Sequence, residues 1–183
     1  GISIQGIDYE LSTDVKLIIS IDCGIKAVDK VAYAKEKGID FIICDHHMPG
    51  EVLPDAVAVV DAKRSDSIYP YNELSGCGVG FKLVHAFSIR NGFEFSEIEH
   101  LLDLVAVSIA ADIVPITGEN RVLMHDGLKQ RNSNPSYGLR GISEICGLSK
   151  KPISVNDIVF NIGPRINVSG RMMNGKEAVE LML

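Results

Sequence analysis

No run in the chain approaches the roughly 18 to 20 consecutive apolar residues that a membrane-spanning helix needs, and the first residues lack a basic start leading into an apolar stretch. Neither a membrane span nor a secretory signal is therefore expected, and the expected location is the cytoplasm. Cysteine is sparse. Cys23, Cys44, Cys77 and Cys146 form no C-x-x-C pair, which argues against structural zinc or a disulfide scaffold and for reduced thiols in a core. Positive charge is also short, with 18 Lys and Arg against 24 Asp and Glu and a net charge of −6. Such a balance disfavours a surface that coats nucleic acid through phosphate contacts alone. Internal repeats and low-complexity tracts are absent as well.

What is present is a 183-residue chain that is 46% hydrophobic, enough for one well-buried domain with an appendage. Its charge is unevenly spread. Residues 1–128 hold 10 Lys and Arg against 20 Asp and Glu, whereas residues 129–176 hold 8 against only Glu144 and Asp157. An acidic body suited to cations is followed by a basic segment suited to a polyanion.

Lys16 to Asp22 reads as a buried strand that stops at Asp22-Cys23-Gly24. Lys26 to Lys37 has helical apolar spacing closed by Gly38, and Ile39 to Asp45 repeats the strand pattern. The order is that of a βαβ unit with parallel strands, and Ala56 to Val60 is a candidate third strand. A polar loop from Arg64 to Ser75 leads through Gly76-Cys77-Gly78-Val79-Gly80 into a periodic stretch, Phe81 to Ile89. Helices are expected over Glu97 to Ala111, Asn120 to Arg131 and Leu139 to Cys146, and from Lys176 onward. A linker is expected at Asn132 to Gly138 and a loop at Asn161 to Gly175.

Ligands of a parallel α/β sheet gather outside the carboxyl ends of its strands. Two of the expected strands end in acids, Asp22 and Asp45, and the second runs on into His46-His47-Met48-Pro49-Gly50. One strand-end aspartate is an ordinary turn or cap residue, but two at equivalent positions, one beside a histidine pair, point to a cation. Imidazole with carboxylate suits Mn²⁺-type ions, and no thiolate set recruits zinc. Asp112 joins the set because an ionised carboxylate closing so apolar a helix calls for a cation or hydrogen-bond donors. The Gly76 to Gly80 run does not fit G-x-G-x-x-G and reads as a turn into the next helix.

Ile21-Asp22-Cys23-Gly24, Asp45-His46-His47, Gly76 to Leu83, Ala111 to Pro115 and Gly163-Pro164-Arg165-Ile166-Asn167-Val168-Ser169-Gly170-Arg171 occur in an order that resembles RecJ-type exonucleases of the DHH phosphoesterase family. The resemblance runs from about Val15 to Leu183. It implies an α/β fold: a parallel-sheet DHH phosphoesterase domain with flanking helices over residues 1–131, then a mainly helical, basic segment over 132–183. By resemblance, Asp22 bridges two divalent ions, Mn²⁺ or Mg²⁺, while His46 and Asp112 bind one of them. His47 then faces the scissile phosphate and Asp45 supports the histidines. Arg165, Asn167 and Arg171 resemble positions that approach the DNA backbone, where a forked guanidinium fits phosphate oxygens.

One departure is large. Family members carry an Asp-Tyr-Asp-x-Asp-Gly strand end before these elements, and Gly6-Ile7-Asp8-Tyr9-Glu10 lacks its spacing and trailing glycine. The chain is therefore expected to be a fragment, without the first metal-binding strand and the later domains, and inactive alone. The intact protein is expected to be a metal-dependent 5′→3′ exonuclease on single-stranded DNA, working in DNA repair and recombination. The competing readings are another DHH phosphoesterase, acting on nanoRNA, cyclic dinucleotides or pyrophosphate, and a noncatalytic α/β binding module.

Overall fold

Leu17–Ile21 (β1), Asp40–Cys44 (β2) and Ala58–Val60 (β3) lie side by side in that order, all parallel. The register pairs Ile21 with Cys44 and Cys44 with Val60, so the three strands end level. This computed structural model describes residues 1–166, which divide into two compact units, one over Gly1–Leu83 and one from Val84 onward.

In the first unit, helix α1 (Ile4–Ser12) starts where the Ser3 hydroxyl accepts the Gly6 N–H. Helix α2 (Val28–Glu36) links β1 to β2, and Gly38, at φ 80°, takes the left-handed turn that ends it. Ile7 of α1, Val31 and Ala34 of α2, and Ile39, Phe41 and Ile43 at β2 form the core on one face of the sheet. The expectation of a buried first strand is corrected. Leu17, Ile19 and Ile21 of β1 are exposed and only Ser20 is buried, because among the described residues β1 is an edge strand with one face covered. Helix α3 (Gly76–Asn91) begins at Gly76 itself, with the Ser75 hydroxyl accepting the Gly78 N–H at 3.2 Å. The glycine run is thus the first turn of the helix and not a turn before it.

In the second unit, two 3₁₀ turns, Phe95–Glu97 and Glu99–Leu101, lead into α4 (Leu102–Ala111), where Leu102, Val105, Ala106, Ile109 and Ala110 are buried. Helix α5 (Gly118–Ser133) packs on α4 closely enough that a Cβ at Gly127 would collide with the Leu102 carbonyl and the Ala106 methyl. Helix α6 (Tyr137–Ile145) buries Gly138, Leu139, Ile142 and Ser143, the i, i+1, i+4, i+5 stripe of an amphipathic helix. Little of the expected 132–138 linker remains, since α5 runs through Ser133 and α6 starts at Tyr137. A helical turn at Val155–Asp157 continues as a π-helical stretch, Ile158–Ile162, and residues 163–166 are helical too. The described part of the loop expected from Asn161 is therefore helical, held by buried Ile158 and Ile162 one turn apart. The tail expected from Lys176 lies outside the described residues. No described helix is long and apolar enough to cross a membrane.

Candidate metal centre

Because the strands end in register, the residues that follow them are neighbours. Asp22 donates its N–H to the Cys44 carbonyl at 2.9 Å, and Asp45 donates its own to the Val60 carbonyl at 3.1 Å. The row is Asp22, Asp45 and Asp61, three acids at three strand ends. Asp22 sits at φ 62°, a conformation that costs a non-glycine residue energy and recurs where a side chain must be aimed at a functional site. A Cβ at Gly76 would collide with the Asp22 carboxylate, so the missing side chain at the start of α3 leaves room for that group.

Asp22, His46 and His47 each bring one ligand atom within 4.8 Å of the others, the one such group of metal-ligating side chains among the described residues. The imidazole tautomers follow from their second contacts. His46 Nδ1 lies 3.1 Å from the Leu74 carbonyl oxygen, which can only accept, so Nδ1 carries the proton and Nε2 turns to Asp22 Oδ1 at 2.9 Å. Two lone-pair atoms that close repel unless a proton or a cation lies between them. His47 Nδ1 is 2.7 Å from Asp45 Oδ1. The His46 side chain is 12% exposed, whereas Asp22 and His47 are 48% and 57% exposed, so the cluster opens to solvent on one side.

Asp45 is the buried anchor, with its side chain 1% exposed. Burial opposes its charge, but donors outweigh that: the Ile25 N–H on Oδ2 at 2.9 Å, the His47 ring, and the His46 N–H at 2.8 Å and His47 N–H at 3.3 Å on Oδ1. The carboxyl is held below the usual aspartate range. It ties the loop after β1 to the histidine pair, the arrangement that orients ligating imidazoles. The thiols nearby are poor ligands. Burial pushes Cys44 up to about 11, and burial with the charges of Asp45 and Asp22 raises Cys23 against the pull of the N-terminus.

Asp61 escaped the sequence reading, although it follows the candidate strand Ala56 to Val60 directly and the strand-end rule that found Asp22 and Asp45 applies to it. It is 5% exposed; Oδ1 accepts the Lys63 N–H at 2.8 Å, while buried Oδ2 has no hydrogen-bond partner. Burial, with the negative Asp45 nearby, raises its pKa despite the Lys63 N–H.

Asp112 closes α4 in the second unit, its N–H bonded to the Ser108 carbonyl and its Oδ2 accepting the Ser108 hydroxyl at 3.3 Å. It is exposed, so the desolvation that suggested a compensating cation does not operate there; Ile113, which follows it, sits at φ 55°. Arg165 is exposed in the helical 163–166 stretch and donates from Nη1 to the Asn161 carbonyl at 2.8 Å. Asn167 and Arg171 lie outside the described residues.

The N-terminal domain model of the DHH family matches residues 3–109. The single-stranded-DNA-specific exonuclease RecJ of Haemophilus influenzae is 35% identical over 194 aligned residues, covering 100% of this chain and 33% of that protein. The chain thus spans about a third of the length of this curated relative. A crystal structure of exonuclease RecJ bound to manganese superposes with a TM-score of 0.83 at 32% identity, covering 100% of this chain and 45% of that one. RecJ of Thermus thermophilus in complex with Mg²⁺ gives 0.66 at 30% identity, over 92% of this chain and 22% of its own.

Proposed function

Because this chain belongs to the DHH family, we propose that it is the metal-binding core of a longer 5′→3′ exonuclease that hydrolyses phosphodiester bonds of single-stranded DNA. The observation that carries the reading is the meeting of Asp22, His46 and His47 at level strand ends, with Asp45 wired to both histidines. Carboxylate beside imidazole, with only protonated thiols nearby, fits Mn²⁺ and, less readily, Mg²⁺. These are the ions held by the RecJ structures that the chain resembles. When bound, such ions activate water and neutralise charge on the attacked phosphate.

The chain's own residues prepare that chemistry. The Leu74 carbonyl fixes the His46 tautomer so that Nε2 faces Asp22. Asp45 holds the His47 ring by Nδ1, which leaves Nε2 outward to meet the scissile phosphate, the role that the resemblance implies. Asp112 keeps the metal-binding role of its motif, and Arg165, Asn167 and Arg171 the phosphate-contact role of theirs. The setting is DNA repair and recombination in the cytoplasm. The test is hydrolysis by the full-length protein, in Mn²⁺, of 5′-phosphorylated single-stranded DNA, a dinucleotide and pyrophosphate. Degradation of DNA from the 5′ end is expected, reduced at least a hundredfold by Asp22→Asn or His46→Ala. Preference for the dinucleotide or for pyrophosphate overturns the reading.

A further inference from the structure

Half of the eight Lys and Arg in residues 129–176 share one location within the second unit. Arg131, Arg140, Lys150 and Lys151 line one cavity of about 470 Å³ between the end of α5, α6 and the turn that follows it, and Glu144 is the one acid among its lining residues. Lys151 pairs with Asp157 at 2.9 Å, which leaves Arg131, Arg140 and Lys150 to set the sign of the cavity. Arg131 is 5% exposed. Its Nη2 donates to the Leu139 carbonyl at 3.2 Å and to the Ser143 hydroxyl, while its buried Nε has no hydrogen-bond partner. Buried Asp103 counters its charge, with Oδ2 accepting the Ser136 N–H at 2.7 Å and Oδ1 without a hydrogen-bond partner. Burial and the positive Arg140 both work against the guanidinium.

The exposed Arg140 guanidinium and Lys150 ammonium, beside the buried Arg131 guanidinium, are an arrangement that an oxyanion in the cavity relieves: it accepts their N–H groups and offsets the repulsion among the cations. We propose that this cavity is a subsite for a backbone phosphate of single-stranded DNA. The phosphate follows from the cavity, and the choice of DNA rests on the function proposed above. If Arg131 merely cross-links α5 to α6 through Leu139 and Ser143, the exposed Arg140 and Lys150 are irrelevant to binding, and the experiment turns on that difference.

Fluorescence anisotropy of a labelled oligothymidylate with the 183-residue chain, in EDTA and over a range of salt, tests it. The Arg140→Gln/Lys150→Gln double variant should bind about tenfold more weakly and show a salt slope shallower by about 0.7, the loss of one single-strand phosphate contact. Glu144→Gln should bind about twofold more tightly, a reversal of sign that structural damage does not produce. Lys30→Gln, on the first unit, should leave both quantities near wild type. Both altered sites are exposed, so circular dichroism should show an unchanged fold. Unchanged affinity and slope in the double variant overturn the proposal; so do an equal loss in Lys30→Gln and a wild-type chain that does not bind the oligonucleotide. Mn²⁺ binding at the Asp22 centre should be unaffected in the double variant. Absent Mn²⁺ binding in the wild type would overturn the metal-centre reading, while the anisotropy still decides the subsite.

Discussion

Asp45 and Asp61 stand one strand apart, both buried, and they titrate in opposite directions because one is surrounded by donors and the other is not. Asp45→Asn would place an amide where the Ile25 N–H, two further backbone N–H groups and an imidazole all donate, so at least one buried donor loses its partner. A loss of about 3 kcal/mol is expected at pH 7, read from urea midpoints, because hydrogen bonds to charged groups contribute about 1.5–3 kcal/mol each and unmet buried donors add to that. The Asp45 pKa is lowered from 3.8, so its contribution is present above that pH and is lost as pH falls through the still lower folded value. The deficit of the variant should therefore shrink below about pH 4. Asp61 runs the other way. Its pKa is raised from 3.8, so the folded state is penalised as pH rises through and beyond that window. Asp61→Asn should gain about 1 kcal/mol at pH 7 and nothing at pH 3; a loss at pH 7 would show that the orphaned Oδ2 has a partner in solution. Asp45 was legible in the sequence because a strand-length apolar run precedes it and two histidines follow. Asp61 follows a weaker run, Ala-Val-Ala-Val-Val, and nothing ionisable with a metal signature stands next to it.

At the scale of elements, α2 could be placed from its periodicity and closing glycine, whereas α3 could not be started correctly. Glycine is a poor helix former, and only a close neighbour makes its missing side chain useful, so Gly76 and Gly80 read as a turn until the Asp22 carboxylate and the Ile21 side chain are seen against them. The same logic separates two glycines in the second unit. In α5, a Cβ at Gly127 meets the backbone of Leu102 and the methyl of Ala106, and neither can yield without moving α4. Gly127→Ala should cost about 1–3 kcal/mol through overpacking. In α6, Gly141 has nothing within 4 Å of that position and no positive φ, so Gly141→Ala should gain about 0.5–1 kcal/mol of helix propensity. Thermal melts of the two variants decide it, and shifts of the same sign would contradict the packing described. Helix ends were hardest to read where partners are distant in sequence. The Ser136 N–H, at the entry to α6, is held by Asp103, 33 positions earlier, and no local pattern announces such a bond.

At the scale of the whole chain, the legible part of the site is the part built by local order: a strand, its terminal acid, and the next strand with its histidines. The second unit owes its form to α4 against α5 and to buried groups such as Arg131, and residue types alone did not reveal that Arg131, Arg140, Lys150 and Lys151 line one cavity. A bound ion nevertheless contributes to global stability. An ion that binds the folded Asp22 and His46 pair but not the dispersed side chains stabilises the fold by RT ln(1 + [L]/Kd), about 2.7 kcal/mol at a hundredfold excess over Kd. Mn²⁺ should therefore raise the melting temperature of the wild-type chain in a concentration-dependent way, and EDTA should reverse the rise. Ligating imidazoles must be deprotonated, so the increment at a fixed Mn²⁺ concentration should decline as pH falls from about 7.5 to about 5. Asp22→Asn weakens the ligand set and should lose most of the increment. His47→Ala keeps Asp22 and His46, whose 2.9 Å contact needs something between its two atoms, and should lose less. An Mn²⁺ increment of equal size in Asp22→Asn and wild type would place the ion elsewhere and remove the basis for assigning this cluster as the metal centre.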